Sequence, residues 1–318
     1  MQPVHTIASF AKPQPDTIAA IFLLKKFGEA LFPGVSGAQL AFWSVLPEGK
    51  TATQLEEEGY ILIDLGQGRF DHHAELSDGR PQRCSSELVA EFLQVTTHPP
   101  LQKLLAYAKR DDLEGKGTIS PDALDRAFGL SGLLTNLNRT YSHDPAGIVN
   151  MVLAMFEAHY QEEENRTIIV KQEWKDIQAA NLQQTYTAVH KNIHLRIVQL
   201  PSDNLSIAGF LRNYHGFDIV VLRRTTGHVN IITNQKKPFS LAGVAEQIRS
   251  LEAQKLGLSL EKMTLRAQGR IESIPHWYYD TVANTLQNGG INPQDTVATT
   301  LSDLDIRNAL VNGLQNLE

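Results

Sequence analysis

Asp64 and, seven residues further on, the triplet Asp71-His72-His73 place two carboxylates and two imidazoles within one short stretch of the 318-residue chain. Carboxylate oxygens and neutral imidazole nitrogens are the usual ligands of Mn²⁺, Mg²⁺ and Zn²⁺. An ion held there would polarise a phosphoryl oxygen and lower the pKa of a bound water, so the chemistry open to such a set is hydrolytic. A second imidazole beside the ion could hold a substrate phosphate. Paired histidines alone are common in solvated loops. What lifts these above that reading is the apolar run Tyr60-Ile61-Leu62-Ile63, which ends on Asp64.

The elements that must position these residues follow from periodicity. Residues 4–10 read as a short buried strand that Pro13 and Pro15 prevent from continuing, and Asp16 stands where it would cap a helix over residues 17–27. Residues 39–45 and 60–65 are two more apolar strands, the second followed by Gly66-Gln67-Gly68. Strand, helix, strand at this spacing predicts a parallel sheet with helices on its faces, where ligands sit outside the carboxyl ends of the strands. Residues 85–93, 101–109, 121–134 and 146–159 read as helices, and residues 167–190 as a helical connector rich in Gln, Ala and charge. Strand alternation begins at Ile193, and residues 217–224 and 228–233 flank Thr225-Thr226-Gly227 as a hairpin. Residues 241–256 and 301–314 are amphipathic helices. The expected fold is α/β: a parallel-sheet domain over 1–165, a helical linker over 166–191 and a smaller α+β domain over 192–318.

Composition bounds the function. A formal net charge of −6 argues against a protein that coats duplex DNA, which needs a broad basic surface, while leaving room for a local basic groove. The single cysteine, Cys84, excludes an internal disulfide and fits a reducing compartment. No apolar run approaches the ~20 residues that span a bilayer, and Met1-Gln2-Pro3-Val4-His5 lacks the features of a signal peptide. A cytoplasmic protein without membrane attachment is expected, and a homodimer is compatible with this reading.

Four stretches in order resemble the DHH phosphoesterase superfamily, which includes RecJ-type nucleases, short-oligonucleotide phosphodiesterases and family II inorganic pyrophosphatases. Thr6-Ile7-Ala8-Ser9-Phe10 followed by Pro15-Asp16-Thr17-Ile18-Ala19 resembles the first motif, and Ile61-Leu62-Ile63-Asp64 the second. Phe70-Asp71-His72-His73 resembles the third, with Cys84-Ser85-Ser86-Glu87 like the helix start that follows it. Ala106-Tyr107-Ala108-Lys109-Arg110-Asp111-Asp112 is placed like the fourth. The resemblance spans residues 4–190, and the close spacing of Asp64 to the triplet looks more like the Myg-type exonuclease branch than like RecJ.

The resemblance implies a metal-dependent phosphoesterase acting on a phosphodiester or phosphoanhydride of a nucleotide or short single-stranded oligonucleotide. Asp16, Asp64, His72 and Asp111 or Asp112 would bind Mn²⁺ or Mg²⁺, His73 would contact the phosphate, and Asp71 would orient a histidine. The first motif departs from the family. Counting back four residues from its aspartate gives Lys12 in place of a metal-binding histidine, and the second aspartate falls on Ile18. A lysine ~4 Å from a divalent ion is repelled by roughly 8 kcal/mol at an effective dielectric of ~20. One ion is therefore expected rather than two, with Lys12 supplying charge to the phosphoryl group. The same departure supports an alternative, a degenerate relative that binds a nucleotide or protein partner without hydrolysis.

In the second half, Arg223, Arg224, Lys236 and Lys237 cluster around the hairpin, where they suit phosphate contacts or the charge protection of a sheet edge. Gly227-His228 and Asn288-Gly289-Gly290 are the stretches nearest to the family's substrate-gripping GGGH segment but do not match it, and they read more readily as turn residues. Arg223 and Arg224 from the basic cluster, with His228, are the candidate substrate contacts. His276-Trp277-Tyr278-Tyr279 could stack bases, although aromatics at such spacing are more often core.

Overall fold

Ile7 and Ala8 are wholly buried in β1 (Thr6–Phe10), the middle strand of a three-stranded parallel sheet flanked by β2 (Gln39–Trp43) and β3 (Tyr60–Ile63). Ile7 lies opposite both Leu40 and Ile61, so the strands end together on the side where the chain leaves towards Asp16 and Asp64. Alternation along the strands serves two faces. Ile7, Ile61 and Ile63 pack with α1 (Pro15–Phe27), while Ala8 and Leu62 pack with Leu55 of α2 (Ala52–Glu57). This is the parallel α/β arrangement the strand spacing predicts.

The structure, a computed structural model, describes residues 2–75, 83–289 and 296–315. The chain divides into two compact units, Met1–Thr167 and Ile168–Glu318. In the first, α1 is buried from Pro15 through Leu24, which is why its apolar residues do not form a single stripe. It packs against α3 (Ser85–Phe92), α4 (Gln102–Glu114) and, beyond α5 (Ala123–Phe128) and α6 (Leu130–Thr140), α7 (Pro145–Glu164). The single helix expected over 121–134 is two. Gly129, extended at φ −67° and ψ 154°, separates α5 from α6, and a Cβ there would meet Thr118 Oγ1 at 2.4 Å.

The second unit begins at Ile168, inside a π turn (Asn165–Ile169), and continues into α8 (Val170–Ala179). The helical linker expected over 166–191 is corrected here. The helix stops at Ala179, and Gln184–His190 is a strand, β4, paired antiparallel with β5 (Ile193–Pro201). The β-branched residues Thr185, Thr187 and Val189 fit that pleat better than a helix. The chain continues through α9 (Ser206–Tyr214), β6 (Ile219–Arg223), β7 (Val229–Thr233), α10 (Ala242–Lys255), α11 (Lys262–Leu265), β8 (Gly269–Ile271), β9 (Ile274–Asp280), β10 (Thr285–Asn288) and α12 (Asp303–Gln315). The sheet order is β4-β5-β6-β7-β10-β9-β8, mixed because β5 and β6 run parallel. Ile197, Ile219 and Val221 face α10 and α12, whereas Val198, Val220 and Leu222 face α8 and α9. The expected hairpin is β6–β7, with Arg223 opposite Val229. Among the described residues no helix is long and apolar enough to cross a membrane.

Candidate metal centre

The segment from Asp64 to His73 is shaped by its own backbone. Asp64 leaves β3 in the left-handed region at φ 53°, a conformation that Asp tolerates better than most residues, and Gly66 and Gln67 follow at φ 69° and 58°. Asp64 N–H donates to Phe70 O at 3.1 Å, and Asp71 N–H to Gly68 O at 3.1 Å. Asp71 ties the loop together, because its Oδ2 accepts from Gln67 N–H at 2.7 Å and its Oδ1 from His73 N–H at 3.1 Å. Phe70, nearly fully buried, anchors the turn edge-on to Phe32 and Phe92 at 6.3 and 5.6 Å. The two histidines then emerge at a 3₁₀ turn (His72–Glu75) with their rings stacked 4.2 Å apart.

Around His72 four segments converge. His72 Nδ1 stands 3.2 Å from Asp64 Oδ1, and His72 Nε2 stands 3.5 Å from Asp112 Oδ2 on α4. Asp16, at the start of α1, does not cap its own helix, whose first turn begins at Pro15 after Gln14. Its carboxylate instead accepts the N–H groups of Ser85 and Ser86 at 2.9 Å each, capping α3 from sixty-nine residues away. Asp16, His72 and Asp112 present ligand atoms within 4.8 Å of one another, as do Asp64, His72 and His73.

Three buried or half-buried carboxylates around one imidazole make an excess of negative charge. The Asp64 carboxylate beside His72, helped by the charges of Asp112 and Asp16, pushes the imidazole up to about 9. Burial, with the neighbouring Asp16 and Asp64 charges, pushes Asp112 up to about 6, and burial raises Asp16. Burial and the Asp16 charge likewise raise the Cys84 thiol, so the one cysteine is an inert packing group. Asp64 Oδ1 and Asp112 Oδ2 are buried without a well-directed hydrogen bond, although each lies within ion-pair distance of His72. Orphaned carboxylate oxygens facing an imidazole are what a hard divalent cation would satisfy, so this donor set fits Mn²⁺ or Mg²⁺.

The other candidates divide. His73 is mostly exposed, with Nδ1 at 3.0 Å from Asp71 Oδ1 and 3.1 Å from Asp64 Oδ1, so Asp71 orients His73 rather than His72. Asp111 turns away from the cluster and accepts a hydrogen bond from Ser131 on α6, with Tyr107 OH 2.8 Å from the same hydroxyl. Lys12 is exposed and lines a cavity with Asp111, Ser131, Asn138 and Arg139. Ile18 is core.

The substrate candidates of the second unit are engaged in its own frame. Arg223 donates to Asp303 at 2.5 Å, to Leu301 O at 2.9 Å and to Gly227 O at 3.2 Å, and Arg224 stands 3.5 Å from Asp203. His228 uses both ring nitrogens, with Thr226 Oγ1 and Thr296 O at 2.9 Å. Lys237 pairs with Asp218 at 2.9 Å. Trp277 and Tyr279 are core, and Gly290 lies outside the described residues. Sequence reasoning missed Ser131 and Arg139; helix periodicity in α6 was the available signal, but nothing in it pairs them with Lys12.

No family model matches the chain, and no curated protein matches it. Among solved structures, the crystal structure of an uncharacterized protein from Helicobacter pylori G27 is similar over 99% of this chain and 100% of its own length, at 11% identity and a TM-score of 0.29. A likeness at that level carries no argument about the chemistry of the site.

Proposed function

We propose that the chain is a metal-dependent phosphoesterase of the DHH type, hydrolysing a phosphodiester or phosphoanhydride of a nucleotide or short oligonucleotide. The observation that carries this reading is the meeting around His72 of Asp64 from its own loop, Asp16 from α1 and Asp112 from α4, three separate segments, with two orphaned carboxylate oxygens among them. Asp16, His72 and Asp112 would hold Mn²⁺ or Mg²⁺, with Asp64 on the Nδ1 side of the His72 ring. Such an ion supplies Lewis acidity at a phosphoryl oxygen and acidifies a bound water.

The chain's own residues do the rest. Asp71 accepts from the Nδ1 side of His73, which fixes the ring and leaves Nε2 free to meet a phosphate oxygen. Stacking on His72 holds His73 against the cluster, and its exposure lets a substrate reach it. His72 Nδ1 is held by Ser85 Oγ at 3.3 Å, with the Asp64 carboxylate 3.2 Å from the same nitrogen. The test is hydrolysis of nucleotides and dinucleotides with Mn²⁺, comparing the wild type with His72→Ala. Loss of activity and of bound Mn²⁺ in the variant is expected; unchanged activity would sink the assignment.

One observation favours a second reading, a relative that binds without hydrolysis. Both oxygens of Asp16 are already used by the start of α3, and the position of the family's second aspartate is the core residue Ile18. A purified protein that binds no ion at saturating Mn²⁺ favours that reading.

A further inference from the structure

A cavity of about 700 Å³ lies within the first unit between the segment Lys12–Pro15, the end of α4 and α6. Its wall carries two cations, Lys12 and Arg139, which have no hydrogen-bond or ion-pair partner among the described residues. Asp111, Ser131, Thr135, Asn138 and Ser142 supply a carboxylate, three hydroxyls and an amide, and among the described residues no aromatic side chain lines the space. The polar groups are held in place. Tyr107 donates to Ser131, which donates to Asp111, while Asn138 Nδ2 is tied to Pro13 O at 2.9 Å and so keeps its carbonyl oxygen as an acceptor.

We infer that this cavity is a binding site for a phosphorylated sugar. The two free cations outnumber the single carboxylate, and a phosphate monoester carrying roughly −1.5 to −2 charge at neutral pH is the anion that balances them. Arg139 offers a planar fork and Lys12 a point charge, a pairing suited to a group with three terminal oxygens. The volume falls in the roughly 300–1,000 Å³ range of small-molecule sites, so a phosphate alone leaves most of it unfilled. Hydroxyls, a carboxylate acceptor and an amide carbonyl match the hydroxyls of a polyol. With no aromatic ring among the described residues of the wall, the stacking platform that a nucleobase would use is missing. The site takes residues adjacent in sequence to the metal cluster, Pro15 beside Asp16 and Asp111 beside Asp112, yet its binding stands independently of whether the cluster hydrolyses anything.

The experiment is calorimetric titration of the full chain, stripped with EDTA, using ribose 5-phosphate as the probe with ribose and inorganic phosphate as controls. Ribose 5-phosphate is expected to bind about tenfold or more tightly than either control, and Lys12→Ala or Arg139→Ala to weaken it about tenfold each. Both side chains are exposed, so truncation leaves the core intact. Lys12→Arg, which keeps the charge, is expected to retain most of the affinity. No binding of ribose 5-phosphate by the wild type, or equal binding by the alanine variants, overturns the inference. Because no metal or turnover enters the measurement, its failure is separable from failure of the phosphoesterase reading.

Discussion

Asp111 and Asp112 are neighbours on α4, yet their carboxylates serve different places: Asp112 Oδ2 stands 3.5 Å from His72 Nε2, and Asp111 accepts a hydrogen bond from Ser131. About 100° of helical turn separates adjacent side chains, enough to send one inward to the cluster and the other to the cavity. Asp112→Asn is therefore expected to weaken Mn²⁺ binding by about tenfold to a hundredfold, whereas Asp111→Asn changes it less than about threefold. Equilibrium dialysis with Mn²⁺ separates them. Equal losses in the two variants would show that α4 does not sort its carboxylates this way.

The metal-free cluster carries a pH signature. Asp112 is raised from 3.8 to about 6 in the folded chain, so it binds its proton more tightly there than when unfolded; its contribution is lost as pH rises from about 4 through 6. His72 is raised from 6.5 to about 9, so its contribution is fully present below 6.5 and is lost as pH climbs through 9. Both slopes have the same sign. In chelator-treated protein the cluster's own contribution, read as the difference in urea midpoint between the wild type and an Asp112→Asn, His72→Ala double variant, should fall between pH 4 and 9. An NMR titration of His72 should give a midpoint well above that of an ordinary histidine. A His72 midpoint near 6.5 would mean that the carboxylates are not gathered around it.

Much of this arrangement is legible in the chain before folding is considered, and the illegible part has identifiable causes. The three parallel strands announce themselves because Ile7, Leu40 and Ile61 sit in short, largely apolar stretches between Pro and Gly punctuation. Asp64 and His72 are legible as a pair because one tight turn joins them. Asp16 was legible as a helix-start residue, but not as the cap of α3, since that bond joins residues sixty-nine apart and local patterning carries no such information. Whether Asp111 or Asp112 faces His72 depends on the rotation of α4, which its packing on α1 decides. The strand Gln184–His190 was hidden because its solvent side is rich in Gln and Thr, a composition that a polar helix shares. Arg223 and His228 looked like ligand contacts until Asp303 and Thr296, both distant in sequence, took them up.

Gly117 closes over the Asp111–Ser131 pair. A Cβ there would lie 1.7 Å from Ser131 Oγ and 2.2 Å from Asp111 Oδ1, closer than any real contact allows. Gly117→Ala must push both side chains apart, at a cost of typically 1–3 kcal/mol for such overpacking. The expected outcome is a lower Tm together with loss of ribose 5-phosphate binding, while Mn²⁺ binding at Asp112 and His72 persists. Calorimetry with each ligand checks this. Retention of sugar-phosphate affinity in the variant would mean that Asp111 and Ser131 do not shape the cavity.

Asp16 links the fold to the cluster most directly. Its carboxylate accepts two backbone N–H groups at the start of α3, where the helix dipole favours negative charge, and a carboxylate has lone pairs left for an ion. Asp16→Ala leaves two buried donors unsatisfied and is expected to cost about 2–4 kcal/mol, read as a lower urea midpoint with unchanged slope. Asp16→Asn retains one acceptor oxygen but turns an amide N–H₂ towards the second donor, so its loss should be smaller yet clear. Metal affinity should fall in both variants. Mn²⁺ stabilises only what binds it, by an amount set by its concentration relative to Kd. The gain in Tm on adding Mn²⁺ should therefore be large in the wild type and small in both variants. An Asp16→Ala protein as stable as the wild type would mean that the N–H groups of Ser85 and Ser86 find another partner, and that Asp16 is held for the ion alone.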